Sequence, residues 1–258
     1  MEKEKVQGND YRRRPPSIRV VGIGPGDASL LTPQAREALQ EAEVVVGYGL
    51  YLSQVEFLLE GKETFTSGMK KEIDRAQKAI DLAREGKRVA VVSGGDPGVY
   101  GMAGLILEIL EPHELTVEVV PGITAASAAA SLLGAPLMHD FSVISLSDLL
   151  TPWEVIEKRL KAAGEGDFIL VIYNPASKKR RWQVERAREI LLSYREKQTP
   201  VGIVRNSFRD NQEIVICELE TMLDYTIDMF TTLIIGSSQT YRRGDYMITP
   251  RGYKIPVK

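Results

Sequence analysis

The chain has 258 residues, a formal charge of −2 and a single cysteine, Cys217. That length exceeds one domain of roughly 150 residues and predicts two lobes; the near-neutral charge argues against a nucleic-acid partner, and one thiol rules out an internal disulfide or a multi-cysteine metal cluster. No apolar stretch reaches the roughly 18 residues that span a bilayer, and the first residues are charged rather than signal-like, so a cytoplasmic protein with no membrane partner is expected.

Residues 1–16 end in Arg12-Arg13-Arg14-Pro15-Pro16 and hold too little apolar surface to order themselves. They read as a flexible tail, with a basic interaction arm as the alternative. From Ile18 onward, short β-branched runs alternate with helical stretches, which predicts an α/β fold with a largely parallel sheet. The first strand covers 18–23 and runs into the turn Gly24-Pro25-Gly26-Asp27. A helix follows from Thr32, capped by its hydroxyl, with Pro33 at the first helical position. A strand over 44–46 comes next. Between 70 and 85, Ile73, Ala76, Ile80 and Ala83 recur at steps of three and four and predict one apolar helix face, ended by Gly86. Then come a strand over 88–92, a glycine-rich turn, a helix over 102–110, a strand over 116–120 and a small-residue helix over 124–133. Gly134-Ala135-Pro136 reads as a hinge, which divides the chain into lobes 17–136 and 137–258.

The second lobe opens with a strand over 142–146 and a helix that Thr151-Pro152 starts by the same device as Thr32-Pro33. A strand over 168–173, a helix over 182–194 and a strand over 201–205 follow. Strands over 213–217 and 231–235 then have little helix between them, so this sheet is expected to be mixed. Cys217, beside the apolar run Ile214-Val215-Ile216, reads as a buried thiol.

Three glycine-bearing turns sit directly after strands. In the first, a dinucleotide loop of the form G-x-G-x-x-G would need glycine where Asp27 stands. Pro25 removes an amide that such a loop could offer, and the second strand ends at Gly47 without an acidic residue for a ribose. Nucleotide redox chemistry is therefore disfavoured. The second turn, Ser93-Gly94-Gly95-Asp96-Pro97-Gly98-Val99-Tyr100-Gly101, combines residues that let backbone come close to a ligand with one carboxylate, Asp96. A plain turn aspartate before proline is the alternative. The third turn leads from Val120 through Pro121-Gly122-Ile123 to Thr124, Ala125 and Ala126, where Thr124 could simply cap a helix. Three such turns in one lobe are economically explained by a small-molecule site.

These segments, GIGPGD at 22–27, SGGDPGVYG at 93–101 and VPGITAASAAASLLGAPL at 120–137, resemble the tetrapyrrole methyltransferase family in order and spacing. The likeness continues through SLSDLLTPW at 145–153, DFILVIYNPASKKR at 167–180, VGIVRNSFRDNQE at 201–213 and TTLIIGSSQTYRRGDYMITPRGY at 231–253. Within the family, YNPASKKR and the closing segment are similar to the enzymes that methylate carbon 17 of precorrin-3B or cobalt-factor III. The resemblance implies a two-lobed α/β fold and a homodimer. It also implies S-adenosylmethionine as cofactor, a tetrapyrrole substrate, and ring contraction in cobalamin biosynthesis. A family member acting on another ring position, or a non-catalytic tetrapyrrole carrier, is the alternative.

Carried onto this chain, the family's cofactor contacts fall on Pro25, Gly94, Gly95, Asp96, Val99, Tyr100, Gly101, Thr124 and Ala125, with Asn174 and Ser207 from the second lobe. A substrate rich in acetate and propionate groups calls for cations. Lys178, Lys179, Arg180 and Arg205 are the candidates, joined by Asp27, and Arg181, Arg209, Arg242 and Arg243 are further ones; a solvated surface cluster is the bland alternative. Alignment of a nucleophilic carbon behind an activated methyl group can contribute about 7–11 kcal/mol. Ring contraction also needs proton transfer, for which His139, Ser147 and Asp148 are candidates, although a hinge histidine is more often a structural hydrogen-bonder.

Overall fold

The computed structural model describes residues 17–68, 71–177 and 180–254, and the chain divides into two units between Thr124 and Ala125. The expected tail, 1–16, lies outside the described residues. Among those described, no helix is long and apolar enough to cross a membrane.

The first unit contains β1 (Ile18–Gly22), α1 (Pro33–Glu41), β2 (Val44–Tyr48), α2 (Gly49–Gln54), β3 (Glu63–Ser67), α3 (Glu72–Arg84), β4 (Val89–Ser93), α4 (Ala103–Ile109) and β5 (Val117–Val120). Its five strands lie in the order β3-β2-β4-β1-β5, and every pairing is parallel. Strands covered on both faces need apolar side chains on both, which is why β2 and β4 read as apolar, valine-rich runs, while β1 is interrupted by Arg19, which pairs with Glu41 and Glu118. One face packs Ile18, Val20, Val44, Val46, Val89 and Val91 under α3 and α4. The other packs Val21, Val45, Ala90 and Val92 with Ala35 and Leu39 of α1. The chain leaves β1 toward β2 on one side and returns from β4 to β5 on the other, so neighbouring β1 and β4 form a topological switch point. Ligands of open α/β sheets bind beyond the carboxyl ends of such strands.

Thr32 caps α1 as expected, its Oγ1 accepting from Ala35 N with Pro33 at the first helical position. Gly86, at φ +88°, follows α3 in the left-handed conformation a helix end favours. Ile73 departs from the expected face and is 67% exposed. The first turn of α3 is buried instead through Arg75, whose guanidinium donates to the Ser67 and Gly68 carbonyls. β3, the edge strand Glu-Thr-Phe-Thr-Ser, and α2, a six-residue helix, carry too little periodic signal to be predicted from the sequence.

The second unit contains α5 (Ala125–Leu133), β6 (Gly134–Ala135), β7 (Phe141–Ser145), α6 (Trp153–Glu165), β8 (Ile169–Tyr173), α7 (Trp182–Leu191), β9 (Pro200–Arg205), β10 (Glu213–Glu218), β11 (Thr231–Ile235), β12 (Tyr241–Arg243) and β13 (Tyr246–Ile248). Its main sheet has the order β10-β9-β11-β8-β7. Only β7 and β8 pair in parallel, so the sheet is mixed, as the sparse helix after residue 205 predicts. The unit division falls before α5 rather than at 134–136. The apolar face of α5, with Ala126, Ala129 and Leu133, packs on Ile169, Val171, Val204 and Ile234 of this sheet. Gly202 makes room for it, since a Cβ there would lie 2.2 Å from Leu133 Cδ1. Gly134-Ala135, the expected hinge, is strand β6 and pairs with Met247 and Ile248. At α6 the expected threonine cap is absent: Pro152 itself occupies the N-cap position and no side chain caps the helix.

Candidate active site

The carboxyl ends of β1, β4 and β5 carry the three glycine-rich turns, and backbone hydrogen bonds lock these together. Gly24 N donates to Gly95 O at 3.1 Å and Gly95 N returns a bond to Gly24 O at 2.8 Å. Asp96 ties in the third turn, since its Oδ2 accepts from Gly122 N (3.1 Å) and its Oδ1 from Gly98 N (2.8 Å). Each carboxylate oxygen thus spends one bond on a backbone amide and keeps acceptor capacity for a hydroxyl or ammonium donor. Side chains are excluded at the crossing. A Cβ on Gly122 would sit 2.1 Å from Gly95 O, and one on Gly94 would sit 2.7 Å from the Tyr51 ring. A fixed carboxylate beside close-packed bare backbone fits a small polar ligand with hydroxyl and amino groups.

The other expected residues of this unit surround the same turns. Pro25 is buried, Val99 N donates to Asp96 O, and Gly101 closes the turn against the Pro97 carbonyl. Tyr100 is 61% exposed with φ +54°. Asp27 is engaged locally: its Oδ1 accepts from Ser29 Oγ (2.6 Å) and Ser29 N (2.7 Å), and these bonds, the hydroxyl's foremost, hold its carboxyl below the usual range.

In the second unit, parallel β7 and β8 end together, and antiparallel β9 and β11 bring Arg205 and Thr231 to that same end. Asn174 and Ser207 both follow strands that stop there. Asn174, at φ +50°, donates from Nδ2 to Ser145 Oγ at 2.9 Å. Ser207 lies in the tight 206–212 connection, where Asn206, Phe208 and Asn211 all have positive φ. Ala125 begins α5 immediately after Thr124, and the next amide, Ala126 N, donates to the Tyr173 hydroxyl at 2.7 Å. Ala125 therefore shares this edge with Asn174.

The three proton-transfer candidates are not brought together. His139 precedes β7 and Ser147 and Asp148 follow it, so the length of the strand, about 16 Å, separates them. His139 is exposed, and its Nδ1 accepts from the backbone amide of Asp140. Ser147 N donates to Ser145 Oγ, and Asp148 Oδ2 accepts from Gln183 Nε2 at 2.9 Å.

Of the cations, Lys178 and Lys179 lie outside the described residues. Arg205 is already matched by two carboxylates, Asp228 at 2.8 Å and Glu213 at 3.1 Å, and the Asp228 hydrogen bond foremost raises its pKa. That pairing speaks against Arg205 as a substrate anchor. Arg181 is paired with Glu185, and Arg242 donates to the Ile216 and Gly244 carbonyls. Arg243 is exposed on β12 beside it, and Arg209 donates its amide to Asn206 O. Sequence reasoning passed over Ser145, Tyr173 and Gln183. Nothing marks them in isolation, although a glutamine at the apolar start of α7 is a sign that a buried polar partner waits for it.

A profile of the Tetrapyrrole (Corrin/Porphyrin) Methylases matches residues 17–223. The chain is similar to a Salmonella typhimurium protein named "Probable cobalt-factor III C(17)-methyltransferase", 50% identical over 240 residues that cover 92% of this chain and 100% of the relative. Other curated relatives at 46–48% identity are longer, and the chain spans about half their length. Among solved structures it is similar to the methyltransferase CobJ, with 42% identity and a TM-score of 0.84 over 90% of this chain and 99% of that one. It is also similar to a uroporphyrin-III C-methyl transferase from Thermus thermophilus complexed with S-adenyl homocysteine. There the identity is 28% and the TM-score 0.67 over 85% and 96% of the two chains.

Proposed function

The chain belongs to the tetrapyrrole (corrin/porphyrin) methylases, and from that premise we propose that it methylates carbon 17 of cobalt-factor III or of precorrin-3B, with ring contraction in cobalamin biosynthesis. The observation that carries this reading is the end-to-end likeness to the Salmonella protein of that name. S-Adenosylmethionine is the proposed donor, supported by the relative solved with S-adenyl homocysteine and by the fit of the glycine-rich edge. When bound, it supplies a methyl group already activated by the sulfonium.

The residues proposed to hold it are Pro25, Gly94, Gly95, Asp96, Val99, Tyr100, Gly101, Thr124 and Ala125, with Asn174 and Ser207. Asp96 accepts from a ligand hydroxyl or amino group while its backbone bonds keep it fixed. Gly94 and Gly95 keep the crossing of the turns free of side chains, and Ala125 stands at the start of α5. Ser147 and Asp148 are the proposed proton-handling groups for contraction, whereas His139, at the far end of β7, is left out. A homodimer in the cytoplasm completes the proposal, supported by the family resemblance.

The test is calorimetric titration of S-adenosylhomocysteine, followed by anaerobic incubation with S-adenosylmethionine and cobalt-factor III, with precorrin-3B in parallel. Mass and absorbance are read. One added methyl with a changed chromophore is the expected result. Cofactor binding without turnover on either macrocycle would overturn the substrate, and no cofactor binding would overturn the methyl transfer itself.

A further inference from the structure

Arg180 has the charge to anchor a substrate carboxylate, yet both of its Nη atoms donate to the protein's own backbone. Nη1 donates to the Leu146 carbonyl at 2.6 Å, just past β7, and Nη2 donates to the Asn174 carbonyl at 2.9 Å, just past β8. One planar fork thereby staples the ends of two parallel strands, a task for which a lysine ammonium has no matching geometry. Asn174 is held a second time where its Nδ2 donates to Ser145 Oγ, on the last residue of β7. Its φ of +50° lies in the left-handed region, which asparagine enters more readily than most residues with a side chain.

The staple has its own support. Asp148 acts electrostatically on the Arg180 guanidinium and partly offsets the burial that lowers the arginine's pKa. Gln183, only 1% exposed, donates from Nε2 to Asp148 Oδ2. Its Oε1 has no hydrogen-bond partner among the described residues. Rotating the amide would set that carbonyl against the carboxylate, so Gln183 keeps its donor on Asp148 and leaves its own acceptor orphaned. A buried polar atom left unsatisfied is unfavourable, and Gln183 accepts that cost in keeping its amide on the Asp148 carboxylate.

We propose that Arg180 is a positioning residue, which acts on cofactor binding by fixing Asn174 and does not touch the tetrapyrrole. The inference rests on the reading that Asn174 contacts S-adenosylmethionine. Four proteins are compared: wild type, R180K, R180A and S145A. S-Adenosylhomocysteine affinity is read by calorimetry, cobalt-factor III affinity by absorbance titration, and folding by thermal melts.

R180K keeps the charge and loses the fork. Its expected result is roughly tenfold weaker S-adenosylhomocysteine binding, the ratio that about 1.4 kcal/mol of coupling gives, with cobalt-factor III affinity within twofold of wild type. R180A should match R180K, and S145A should shift in the same direction by a smaller factor. A substrate anchor would show the reverse, with R180K near wild type and R180A losing macrocycle affinity alone; that result overturns the proposal, as does a lowered melting temperature with unchanged cofactor affinity. Should R180K and R180A fail to fold, unchanged cofactor affinity in S145A overturns it. Wild type that binds no S-adenosylhomocysteine overturns both this inference and the function it rests on, whereas wild-type binding with an unaffected R180K overturns the inference alone.

Discussion

Replacing Gly122 by alanine tests whether the crossing of the three turns has any room. The added Cβ would lie 2.1 Å from Gly95 O and 2.8 Å from Gly22 C and O, all of them backbone atoms. Ordinary carbon–oxygen contacts are about 3.3 Å, so relief takes a retreat of about 1 Å. Gly95 O cannot retreat freely, because it accepts from Gly24 N. Shifting Gly122 instead breaks the bond from its amide to Asp96 Oδ2. Overpacking at about 1–3 kcal/mol, with the loss of a bond to a carboxylate at about 1.5–3 kcal/mol, gives a destabilisation of roughly 2.5–6 kcal/mol, centred near 4 kcal/mol. At about 2–4 °C per kcal/mol for a chain of this size, the melting temperature should fall by roughly 5–24 °C. Urea unfolding measures the stability, and calorimetry with S-adenosylhomocysteine measures the site, where binding should be lost with the Asp96 anchor. Gly104 in α4 is the control: a Cβ there meets nothing within 4 Å, and G104A should stabilise by about 0.5–1 kcal/mol. A G122A protein within about 1 kcal/mol of wild type that still binds the ligand would refute the crowding argument.

Burial pushes the Cys217 thiol up to about 11 from an ordinary 9.0. Between those values the unfolded thiol ionises while the folded one stays protonated, so wild type should lose stability relative to C217A as pH rises from 9 to 11; parallel urea curves over that range would contradict it. Asp228 is pushed up by burial but pulled further down by Arg205, the Phe230 amide and Thr231, and ends below its usual pKa. Its contribution is therefore present above about pH 3.9 and lost as pH falls through the depressed folded value. The stability gap between wild type and D228N should accordingly shrink from pH 6 to pH 3, and an unchanged gap would sink the assignment. H139A should turn over within twofold of wild type, since His139 is exposed at the far end of β7; a hundredfold loss in the mass-read assay would return the histidine to the chemistry.

Local chemistry alone fixes much of this protein. Thr32 and Pro33 start a helix because a hydroxyl acceptor and a missing N–H suit its first turn wherever it lies. Strands buried on both faces are mostly apolar, so β1, β2 and β4 are legible as runs, and the glycine clusters after β1, β4 and β5 mark turns where Gly94, Gly101 and Gly122 leave no room for a side chain. Other outcomes depend on which partner arrives through space. Whether α5 belongs to the first sheet or the second is decided by Leu133 finding the gap at Gly202, a contact 69 residues apart in sequence that no local pattern encodes. Gly134-Ala135 looks like a hinge until Met247 and Ile248 supply a strand beside it. The same limit governs the site. Arginine at 180 or 205 announces a cation, but the Leu146 and Asn174 carbonyls, or Asp228 and Glu213, determine whether that cation is available, and hydrogen-bond geometry of that kind exists only once the strands have been brought to one edge.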